Sequence, residues 1–408
     1  MFEDCVIVGA GIAGVSAAAA LRDEGYDGRL TVLGAEPHAP YDRPALSKDV
    51  LLAEQPPGAR PLHPDGFYTE RDIWLRLGTA AARIRPDAGS VLLTGGEEIR
   101  ADRVLLATGG AARTLDLPGA ALTGVHTLRD LQDALAVREY LCRRAEVVVV
   151  GGGFIGMEVA AAAAQRGCPV TVVETEELPM LRALGPDVAR VLADAHRERG
   201  VRVLARSGVR GFEGGERVTG VRLTDGTLLA AELVLVGVGM RAESALARES
   251  GLTVGAGVRT DSAGRTSHPA VYAAGDAAET AAPDGSHTRT EHWQHARDAG
   301  TAVARAMLGR PEPEPPVPWF WSDQGDLNLQ LAGRPHPDDE RTWRGDPDAR
   351  AFSVLHHRDG RLTAVTAVNR GKDVRPAMEL IRNGTRLAPE ALADPTTNLR
   401  KLAKAAAA

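Results

Sequence analysis

Two glycine-rich segments have the residue types and the spacing that bind a dinucleotide. Residues 9–14 and 151–156 each read G-x-G-x-x-G, after a short β-branched apolar run and before an alanine-rich segment. In such a strand–turn–helix unit the first glycine permits the tight turn, the second lets the backbone approach a pyrophosphate, and the third lets the helix pack on the strand. The glycines concerned are Gly9, Gly11 and Gly14 in the first motif and Gly151, Gly153 and Gly156 in the second. Two such motifs predict two bound dinucleotides, and electron transfer between them is the simplest chemistry that requires both.

An acidic residue follows each motif at the position that bonds a ribose hydroxyl. Glu36 lies 22 residues after Gly14 (36 − 14) and Glu174 lies 18 residues after Gly156 (174 − 156), close to the usual spacing of about 20. A carboxylate at this position repels a 2′-phosphate, and residues 175–177 contain no arginine, so the second motif favours NADH over NADPH. A solvated strand end is the alternative interpretation of Glu174.

Lys48 and Glu158 are the two charged residues that composition and the helix pattern single out. Lys48 is one of only four lysines in the chain. Glu158 lies inside an otherwise apolar helix pattern, where an unpaired carboxylate is costly, so we expect a cationic partner for it. A first-turn glutamate that is favoured by the helix dipole is the alternative.

The composition limits the classes of function. A chain of 408 residues predicts two or three domains, and a formal charge of −6 gives no indication of nucleic-acid binding. Cys5, Cys142 and Cys168 form no C-x-x-C pair and no metal-ligand spacing, so we predict no metal site. No apolar run approaches the ~20 residues of a membrane span. Met1 leads almost directly into a strand pattern, so we expect a cytoplasmic protein without a signal peptide.

The elements that must position these residues follow from hydrophobic periodicity. We predict helices near residues 12–25, 130–144, 154–167 and 291–308, which alternate with short buried strands. Beyond residue 318 the sequence predicts a separate module, with strands near 327–332, 352–356 and 362–368 and then two or three helices.

Six segments in this order make the whole chain resemble the FAD-dependent, NADH-oxidising ferredoxin reductases of bacterial monooxygenase and dioxygenase systems. They are the first glycine motif, residues 43–48, residues 107–109, the second glycine motif through residue 158, residues 274–277 and residues 319–324. Ala45 departs from the family, which usually has a second proline at this position.

The resemblance implies an α/β fold of the glutathione-reductase type, with two Rossmann-like dinucleotide-binding domains and a C-terminal α/β domain. The FAD-binding domain would be discontinuous, over residues 1–112 and 242–316, with the NADH-binding domain, residues 113–241, inserted into it. The C-terminal domain, residues 317–408, would cover part of the flavin and help to form the surface for a partner.

The resemblance also implies roles for individual residues. Arg43 would contact an FAD phosphate or ribose, and Asp276 a ribityl hydroxyl, although an N-cap role alone is the alternative for Asp276. Trp321, or else Trp319, would stack on the flavin ring, with domain packing as the alternative. The predicted cofactor-binding residues are Gly9, Gly11, Gly14, Glu36, Arg43, Lys48, Ala107, Thr108, Gly109, Gly151, Gly153, Phe154, Ile155, Gly156, Glu158, Glu174, Gly239, Gly275, Asp276, Trp293 and Trp321.

Lys48 and Glu158 match a catalytic ion pair of the family near flavin N5. The resemblance implies that this pair positions the nicotinamide and stabilises negative charge on reduced flavin. Electrons would pass from NADH to FAD and then singly to a small [2Fe–2S] ferredoxin, which feeds a cytochrome P450 or a Rieske-type oxygenase. Residues 369–408 carry eight Arg or Lys and four Asp or Glu, an excess of four positive charges (8 − 4), which either docks an acidic ferredoxin or is a solvated face.

Three other functions compete with this interpretation. A flavin disulfide reductase would need a redox cysteine beside the flavin, and residues 40–48 contain none. A reductase for rubredoxin or another carrier has the same sequence features as a ferredoxin reductase. A non-catalytic, NADH-sensing flavoprotein would also keep both nucleotide sites.

Overall fold

The computed structural model describes residues 2–55, 57–58, 60–282, 284–311 and 313–407 of the chain. The chain folds into two compact units, each assembled from separate segments. Unit 1 comprises Met1–Pro44, Gly58–Ala111 and Met240–Pro316, and unit 2 comprises Ala45–Pro57, Ala112–Gly239 and Val317–Ala408. The division into an FAD, an NADH and a C-terminal domain stays a prediction.

The α-helices are Ile12–Asp23 (α1), Asp49–Leu52 (α2), Phe67–Glu70 (α3), Leu131–Cys142 (α4), Phe154–Gln165 (α5), Leu181–Glu198 (α6), Ala245–Glu249 (α7), Trp293–Met307 (α8), Gly371–Arg382 (α9), Pro389–Ala393 (α10) and Leu399–Ala407 (α11). None of the helices in the described residues is long and apolar enough to cross a lipid bilayer.

The strands are Asp4–Val8 (β1), Arg29–Leu33 (β2), Ile73–Arg76 (β3), Ala81–Arg85 (β4), Ser90–Leu93 (β5), Glu98–Arg100 (β6), Arg103–Leu106 (β7), Gly110–Ala112 (β8), Val125–His126 (β9), Val147–Val150 (β10), Val170–Val173 (β11), Val201–Leu204 (β12), Val209–Gly214 (β13), Val218–Leu223 (β14), Leu228–Ala230 (β15), Leu233–Val236 (β16), Met240–Ala242 (β17), Val258–Thr260 (β18), Val271–Ala273 (β19), Ala278–Ala281 (β20), His287–Thr288 (β21), Trp319–Gln324 (β22), Leu327–Gly333 (β23), Glu340–Asp346 (β24), Ala351–Arg358 (β25) and Arg361–Val368 (β26).

Unit 1 is built on a parallel five-stranded sheet in the order β19-β7-β1-β2-β3. Every residue of β1 is buried, because both faces of the sheet are covered. Cys5 and Ile7 pack in the core that contains α1 and α8, whereas Val6 and Val8 point into the core on the opposite face. The first glycine motif begins at Gly9, directly after the carboxyl end of β1.

Unit 2 contains a second parallel sheet, in the order β12-β11-β10-β16-β9. The run Val147–Val150 forms β10, the central strand, and each of its four residues is buried. β10 is followed by the second glycine motif and α5, so that the strand–turn–helix unit predicted twice from the sequence is present twice.

The C-terminal part of unit 2 is a five-stranded antiparallel sheet in the order β22-β23-β26-β25-β24. The three predicted strands correspond to β23, β25 and β26, and the helices that follow them are α9, α10 and α11. Periodicity did not indicate β22 or β24, because polar side chains occupy buried positions in them. Ser322 and Gln324 in β22 and Arg344 in β24 are all at most 3% exposed.

Two arginines fasten α2, the short helix that follows Lys48, inside unit 2. The guanidinium of Arg138 on α4 donates from Nε and Nη2 to the Ala53 carbonyl at 3.0 and 2.7 Å, and from Nη2 to the Glu54 carbonyl at 2.7 Å. Arg166 donates from Nε to the Leu51 carbonyl at 3.0 Å and from Nη2 to the Ala53 carbonyl. A four-residue helix is unstable alone, so these cations, placed where its carbonyls are free, hold it in place.

We expect Arg138→Ala to destabilise unit 2, because it removes three hydrogen bonds to the Ala53 and Glu54 carbonyls and leaves only Arg166 to hold the end of α2. The cost should be about 1–3 kcal/mol, seen as a lower temperature of thermal unfolding. Arg143→Ala is the matched control. This exposed arginine follows α4 and lies 4.1 Å above the Tyr140 ring, so its loss should cost less than ~1 kcal/mol. Equal effects of the two substitutions would contradict the structural role of Arg138.

Candidate functional site

The outer glycines of the first motif are required by the fold of unit 1. Gly9 has φ +119°, and a Cβ atom there would lie 2.1 Å from the Ala107 carbonyl oxygen. A Cβ atom at Gly14 would lie 2.0 Å from the Gly9 carbonyl oxygen. No side chain fits at either position, because atoms of the backbone already occupy the space.

The middle glycine, Gly11, behaves differently. Apart from its two chain neighbours, no atom of the described residues lies within 4 Å of the position that its Cβ would occupy, and its φ of −77° is accessible to any residue. Gly11 is also the N-cap of α1, which has no side-chain cap and no acidic residue in its first turn. Free helix N–H groups beside an open backbone fit a pyrophosphate. The protein alone does not explain this glycine, whereas a dinucleotide does.

The second motif repeats this arrangement in unit 2. Gly151 has φ +102°, and Cβ atoms at Gly151 and Gly156 would lie 2.5 Å and 2.1 Å from the carbonyl oxygens of Gly237 and Gly151. At Gly153 the nearest atom to a Cβ would be 4.0 Å away. Gly153 is the N-cap of α5, again without a side-chain cap. Each unit therefore has a backbone turn that we call a cradle, residues 9–14 in unit 1 and residues 151–156 in unit 2. The middle glycine of each cradle is needed only by a ligand.

Glu174 lies beside the second cradle. Its Oε2 accepts a hydrogen bond from the Gly152 N–H at 2.6 Å, and its Oε1 accepts one from the Glu176 N–H at 2.9 Å. The carboxylate is thus held at the carboxyl end of β11, next to the turn. This is the position predicted for a residue that bonds a ribose hydroxyl.

Glu36 and Arg43 lie together in unit 1. Arg43 Nη2 donates to Glu36 Oε1 at 2.6 Å, and the Tyr41 hydroxyl donates to Glu36 Oε2 at 2.6 Å. The Arg43 guanidinium also lies 5.5 Å from the centre of the Tyr41 ring. The spacing predicted Glu36, but the sequence did not indicate that Tyr41 and Arg43 would orient it.

The other residues predicted for FAD belong to unit 1. The Thr108 hydroxyl donates to the Glu243 carbonyl at 2.6 Å, and Gly109 follows it with φ +69°. Gly275 and Asp276 form a short 3₁₀ helix, and a Cβ at Gly275 would lie 2.8 Å from the Ala13 side chain on α1. The structure therefore packs Gly275 against the helix that starts at the first cradle.

Two tryptophans were predicted to lie near the flavin, one in each unit. Trp293 is the first residue of α8 in unit 1, and the Arg297 guanidinium lies 5.6 Å from its ring centre. Trp321 lies on β22 in unit 2, where its ring stacks on that of Trp319 at 5.0 Å.

The remaining predicted residues for NAD are in unit 2. Phe154 opens α5, and its ring lies 4.6 Å from that of Phe320. The next residue, Ile155, is 45% exposed, which is unusual for a large apolar side chain at a helix start. Gly239 has φ +97°, and its carbonyl accepts a hydrogen bond from the Arg113 N–H at 2.9 Å.

Lys48 and Glu158 form an ion pair inside unit 2. Lys48 Nζ lies 2.9 Å from Glu158 Oε2, and the two side chains are 16% and 2% exposed. Glu158 lies on α5, two residues after the last glycine of the second motif, and Lys48 immediately precedes α2. The glutamate inside an apolar helix therefore has the cationic partner that its burial requires.

Further polar residues around Glu158 were missed in the sequence. The hydroxyl of Ser47 donates to Glu158 Oε2, and that of Ser322 donates to Glu158 Oε1 at 2.6 Å. Gln324 bonds Ser322, and His196 bonds Gln324. Their positions in the chain gave no indication of this cluster, although Ser and Gln in an aromatic strand pattern are a weak sign of buried polar positions.

The residues present therefore fit two dinucleotides. The first cradle, with Glu36 and Arg43, would hold FAD, and the second, with Glu174, would hold NAD(H). Within the described residues there is no group of three or more His, Cys, Asp or Glu side chains that could bind a metal ion.

Comparison with known proteins gives consistent matches over nearly the whole chain. The model of the pyridine nucleotide-disulphide oxidoreductase family matches residues 3–300, and that of the reductase C-terminal domain matches residues 319–403. The ferredoxin reductase subunit of 5,5'-dehydrodivanillate O-demethylase from Sphingobium sp. (strain NBRC 103272 / SYK-6) is 38% identical over 406 residues, which cover 98% of each protein.

Two solved structures are also similar. The ferredoxin reductase for the CYP199A2 system from Rhodopseudomonas palustris superposes with a TM-score of 0.94 at 35% identity, over 98% of this chain and 100% of that one. A chain of the covalent putidaredoxin reductase–putidaredoxin complex superposes with a TM-score of 0.93 at 33% identity, over 100% of this chain and 99% of that one.

The open middle glycines give a direct test of the two cradles. In Gly11→Ala the added methyl group contacts no protein atom, so the fold should survive while FAD affinity falls at least tenfold, about 1.4 kcal/mol. Gly153→Ala should keep FAD and lose NADH affinity to a similar extent. Fluorescence titration of the apoprotein with FAD, and of the FAD-loaded protein with NADH, measures both.

Gly14→Ala is the contrasting variant, because its Cβ would collide with the Gly9 carbonyl oxygen. We expect this variant not to reach the folded state of the parent protein. Unchanged affinity for FAD in a folded Gly11→Ala protein would argue that no pyrophosphate approaches this turn.

Proposed function

Since this chain belongs to the pyridine nucleotide-disulphide oxidoreductase family, we propose that it carries electrons from NADH through FAD to a [2Fe–2S] ferredoxin. It is an NADH-dependent flavoprotein oxidoreductase, and its cofactors are FAD and NAD(H). The observation that carries the proposal is the pair of backbone cradles, each with a middle glycine that only a ligand explains. When bound, FAD accepts two electrons from NADH and releases them singly to a one-electron carrier.

Disulfide reduction is a poor second candidate despite the family name. Cys5, Cys142 and Cys168 form no disulfide in the structure. Burial raises the pKa of the Cys5 thiol to about 12 and raises that of Cys168 as well, so neither is a reactive thiolate at neutral pH. The free thiols also support our proposal of a cytoplasmic location.

We assign the dinucleotides to the two cradles by the residues beside them. Gly9, Gly11 and Gly14 would bind the FAD pyrophosphate, and Glu36 with Arg43 would bind its adenosine end. The other residues assigned to FAD are Ala107, Thr108, Gly109, Gly275, Asp276, Trp293 and Trp321. Those assigned to NADH are Gly151, Gly153, Phe154, Ile155, Gly156, Glu174 and Gly239. The uncapped starts of α1 and α5 support the phosphate positions.

Lys48 and Glu158 are our candidates for catalytic residues. Their ion pair holds a lysine ammonium, 16% exposed, against a buried carboxylate. The carboxylate orients the ammonium, and an oriented cation stabilises negative charge that develops on a bound redox group. Glu158 lies only two residues after the second cradle, so the same helix start would orient the pyridine nucleotide.

A ferredoxin is the electron acceptor that the related proteins support. One similar protein is the ferredoxin reductase of a CYP199A2 system, and another is the ferredoxin reductase subunit of an O-demethylase. We therefore propose that the ferredoxin served here feeds a cytochrome P450 or a Rieske-type oxygenase. Rubredoxin or another carrier, and an NADH-sensing role without turnover, are the alternatives that the experiment below separates.

We propose that the carrier docks on the basic end of the chain. Seven cationic residues in 369–408 are exposed, against three exposed acidic ones, a local excess of four (7 − 3). The exposed cations are Lys372, Arg375, Arg382, Arg386, Arg400, Lys401 and Lys404. Such a surface would speed association with an acidic ferredoxin at low ionic strength.

Anaerobic titration of the FAD-loaded protein, followed in the visible flavin spectrum, tests the function. NADH should bleach the flavin, NADPH should not, and an added [2Fe–2S] ferredoxin should restore the oxidised spectrum. Restoration by rubredoxin alone would favour the other carrier. Bleaching that no carrier reverses would favour the sensor, and a protein that takes up no FAD would overturn the proposal.

Glu174→Arg should invert the preference between pyridine nucleotides. The variant loses the carboxylate that bonds Gly152 N–H and gains a cation that attracts a 2′-phosphate. We expect NADH affinity to fall at least tenfold, about 1.4 kcal/mol, and NADPH affinity to rise. Glu146→Arg is the matched control, because the exposed Glu146 precedes β10 and so lies at the amino end of the sheet, opposite the cradle at the carboxyl end. Unchanged preference in Glu174→Arg would contradict the ribose assignment.

A further inference from the structure

The Glu158 carboxylate receives hydrogen bonds on both of its oxygens. Oε2 accepts from Lys48 Nζ at 2.9 Å and from the Ser47 hydroxyl. Oε1 accepts from the Ser322 hydroxyl at 2.6 Å. Lys48 and Ser47 come from the segment around α2, whereas Ser322 comes from β22 of the C-terminal sheet. One oxygen of the carboxylate therefore depends on the C-terminal part of unit 2.

The hydrogen bonds beyond Ser322 all run in one direction. An ionised carboxylate only accepts, so Ser322 gives its single hydroxyl hydrogen to Glu158 and must itself accept from another group. Gln324 Nε2 donates to Ser322 Oγ at 3.1 Å and to Met180 Sδ at 3.2 Å. Gln324 Oε1 lies 2.8 Å from His196 Nε2. This amide oxygen can only accept, so His196 carries its proton on Nε2.

The hydrogen-bonded side chains His196, Gln324 and Ser322 are buried. His196 and Ser322 are 0% exposed and Gln324 is 1% exposed. Burial, with a smaller contribution from the Arg199 charge, lowers the pKa of His196, so the imidazole is neutral near neutral pH. Its Nδ1 has no hydrogen-bond partner among the described residues, as suits the unprotonated nitrogen of this tautomer. Four side chains thus form a directional chain, His196–Gln324–Ser322–Glu158.

The strand that carries Ser322 also carries Trp321. Successive residues of a strand point to opposite faces, so Ser322 and Gln324 share one face of β22. Trp319 and Trp321 share the other, where their rings stack. The position of the aromatic pair is thereby tied to the hydrogen bond that reaches Glu158.

We propose that Ser322 is a positioning residue that orients Glu158 and holds it as a carboxylate, and that Gln324 and His196 act through Ser322. The inference deepens the proposed function, on which the roles of Lys48 and Glu158 rest. A carboxylate with a neutral donor on one oxygen and Lys48 on the other has one orientation and a fixed charge. Ser322 thereby also fixes the acceptor that orients the Lys48 ammonium.

Ser322→Ala tests the inference because it removes one donor from Glu158 and leaves Lys48 and Ser47 in place. The carboxylate should take up a proton at a pH roughly one unit higher than in the parent protein, a tenfold change in proton affinity. The acid limb of the pH profile for flavin reduction by NADH should move upward by the same amount. Ser322→Thr, which keeps a hydroxyl, should restore the parent profile.

The proton on Glu158 can be followed without turnover. Infrared difference spectra of the FAD-loaded protein, taken from neutral to mildly acidic pH, show the C=O stretch of a protonated carboxyl group, and Glu158→Gln identifies the band by removing it. In the part of the chain that the structure describes, Lys48 is the ionised group paired with Glu158, and His196 with Arg199 lies at the far end of the hydrogen-bonded series. The parent and the variants share all of these charges.

Ser353→Ala is the matched control. Ser353 is 0% exposed in the same sheet and donates to Asp373 at 3.0 Å, with no contact to Glu158. Gln324→Met keeps the side-chain volume, and it should move the titration in the same direction as Ser322→Ala but less. It serves as the second variant if Ser322→Ala fails to fold.

The outcomes separate the inference from the function. An upward shift in Ser322→Ala and Gln324→Met, absent in Ser353→Ala, supports the positioning role. An infrared titration of Glu158 that is the same in parent and Ser322→Ala, or that shifts equally in Ser353→Ala, overturns it. If NADH does not reduce the flavin of the parent, the proposed function fails, while the infrared titration still decides the role of Ser322.

Discussion

The burial of one charged group, the Glu158 carboxylate, governs how unit 2 is assembled. An ionised carboxylate that is removed from water has to receive donors on both oxygens, because the desolvation cost otherwise exceeds any gain from packing. Two segments that are far apart in sequence supply these donors to α5, which carries Glu158: residues 45–57 and the C-terminal strand β22. The carboxyl end of α2 is in turn held by Arg138 and Arg166. The ion pair is thus the point at which these segments have to meet.

The glycines of the two motifs show how packing separates fold from function. At Gly9, Gly14, Gly151 and Gly156 the space for a side chain is already filled by backbone. These residues would be needed in the absence of any ligand. Gly11 and Gly153 face open space with ordinary backbone angles, so packing does not account for them. A group that must come close to the backbone, such as a pyrophosphate, does.

The acidic residues beside the two cradles have different partners, and the difference suits two cofactors with different roles. Glu36 is engaged by Arg43 and Tyr41, so its charge is balanced within unit 1. Glu174 is held only by backbone N–H groups and the Thr175 hydroxyl in the described part of the chain. None of these partners is a cation, which agrees with our proposal that Glu174 lies beside a ribose with a free 2′-hydroxyl. A permanently held flavin and an exchangeable, selected NADH are consistent with these two arrangements.

The sequence by itself determined what local spacing encodes. The two strand–turn–helix units, the α/β fold class, the family and both cofactors were predicted from it and are confirmed. The assigned roles of Lys48, Glu158 and the nucleotide-binding residues stay proposals. Spacing is informative here because a turn that must approach a phosphate permits few residue types.

Only the tertiary structure decided which distant residues meet. Ser322 is 164 positions from Glu158, and His196 is 128 positions from Gln324. No local pattern connects such residues, because buried polar side chains are stabilised by partners that the fold brings to them. For the same reason β22 and β24, with polar residues facing inward, were not predicted as strands. The chain encodes the cradles locally, whereas the surroundings of Glu158 exist only once the whole of unit 2 has folded.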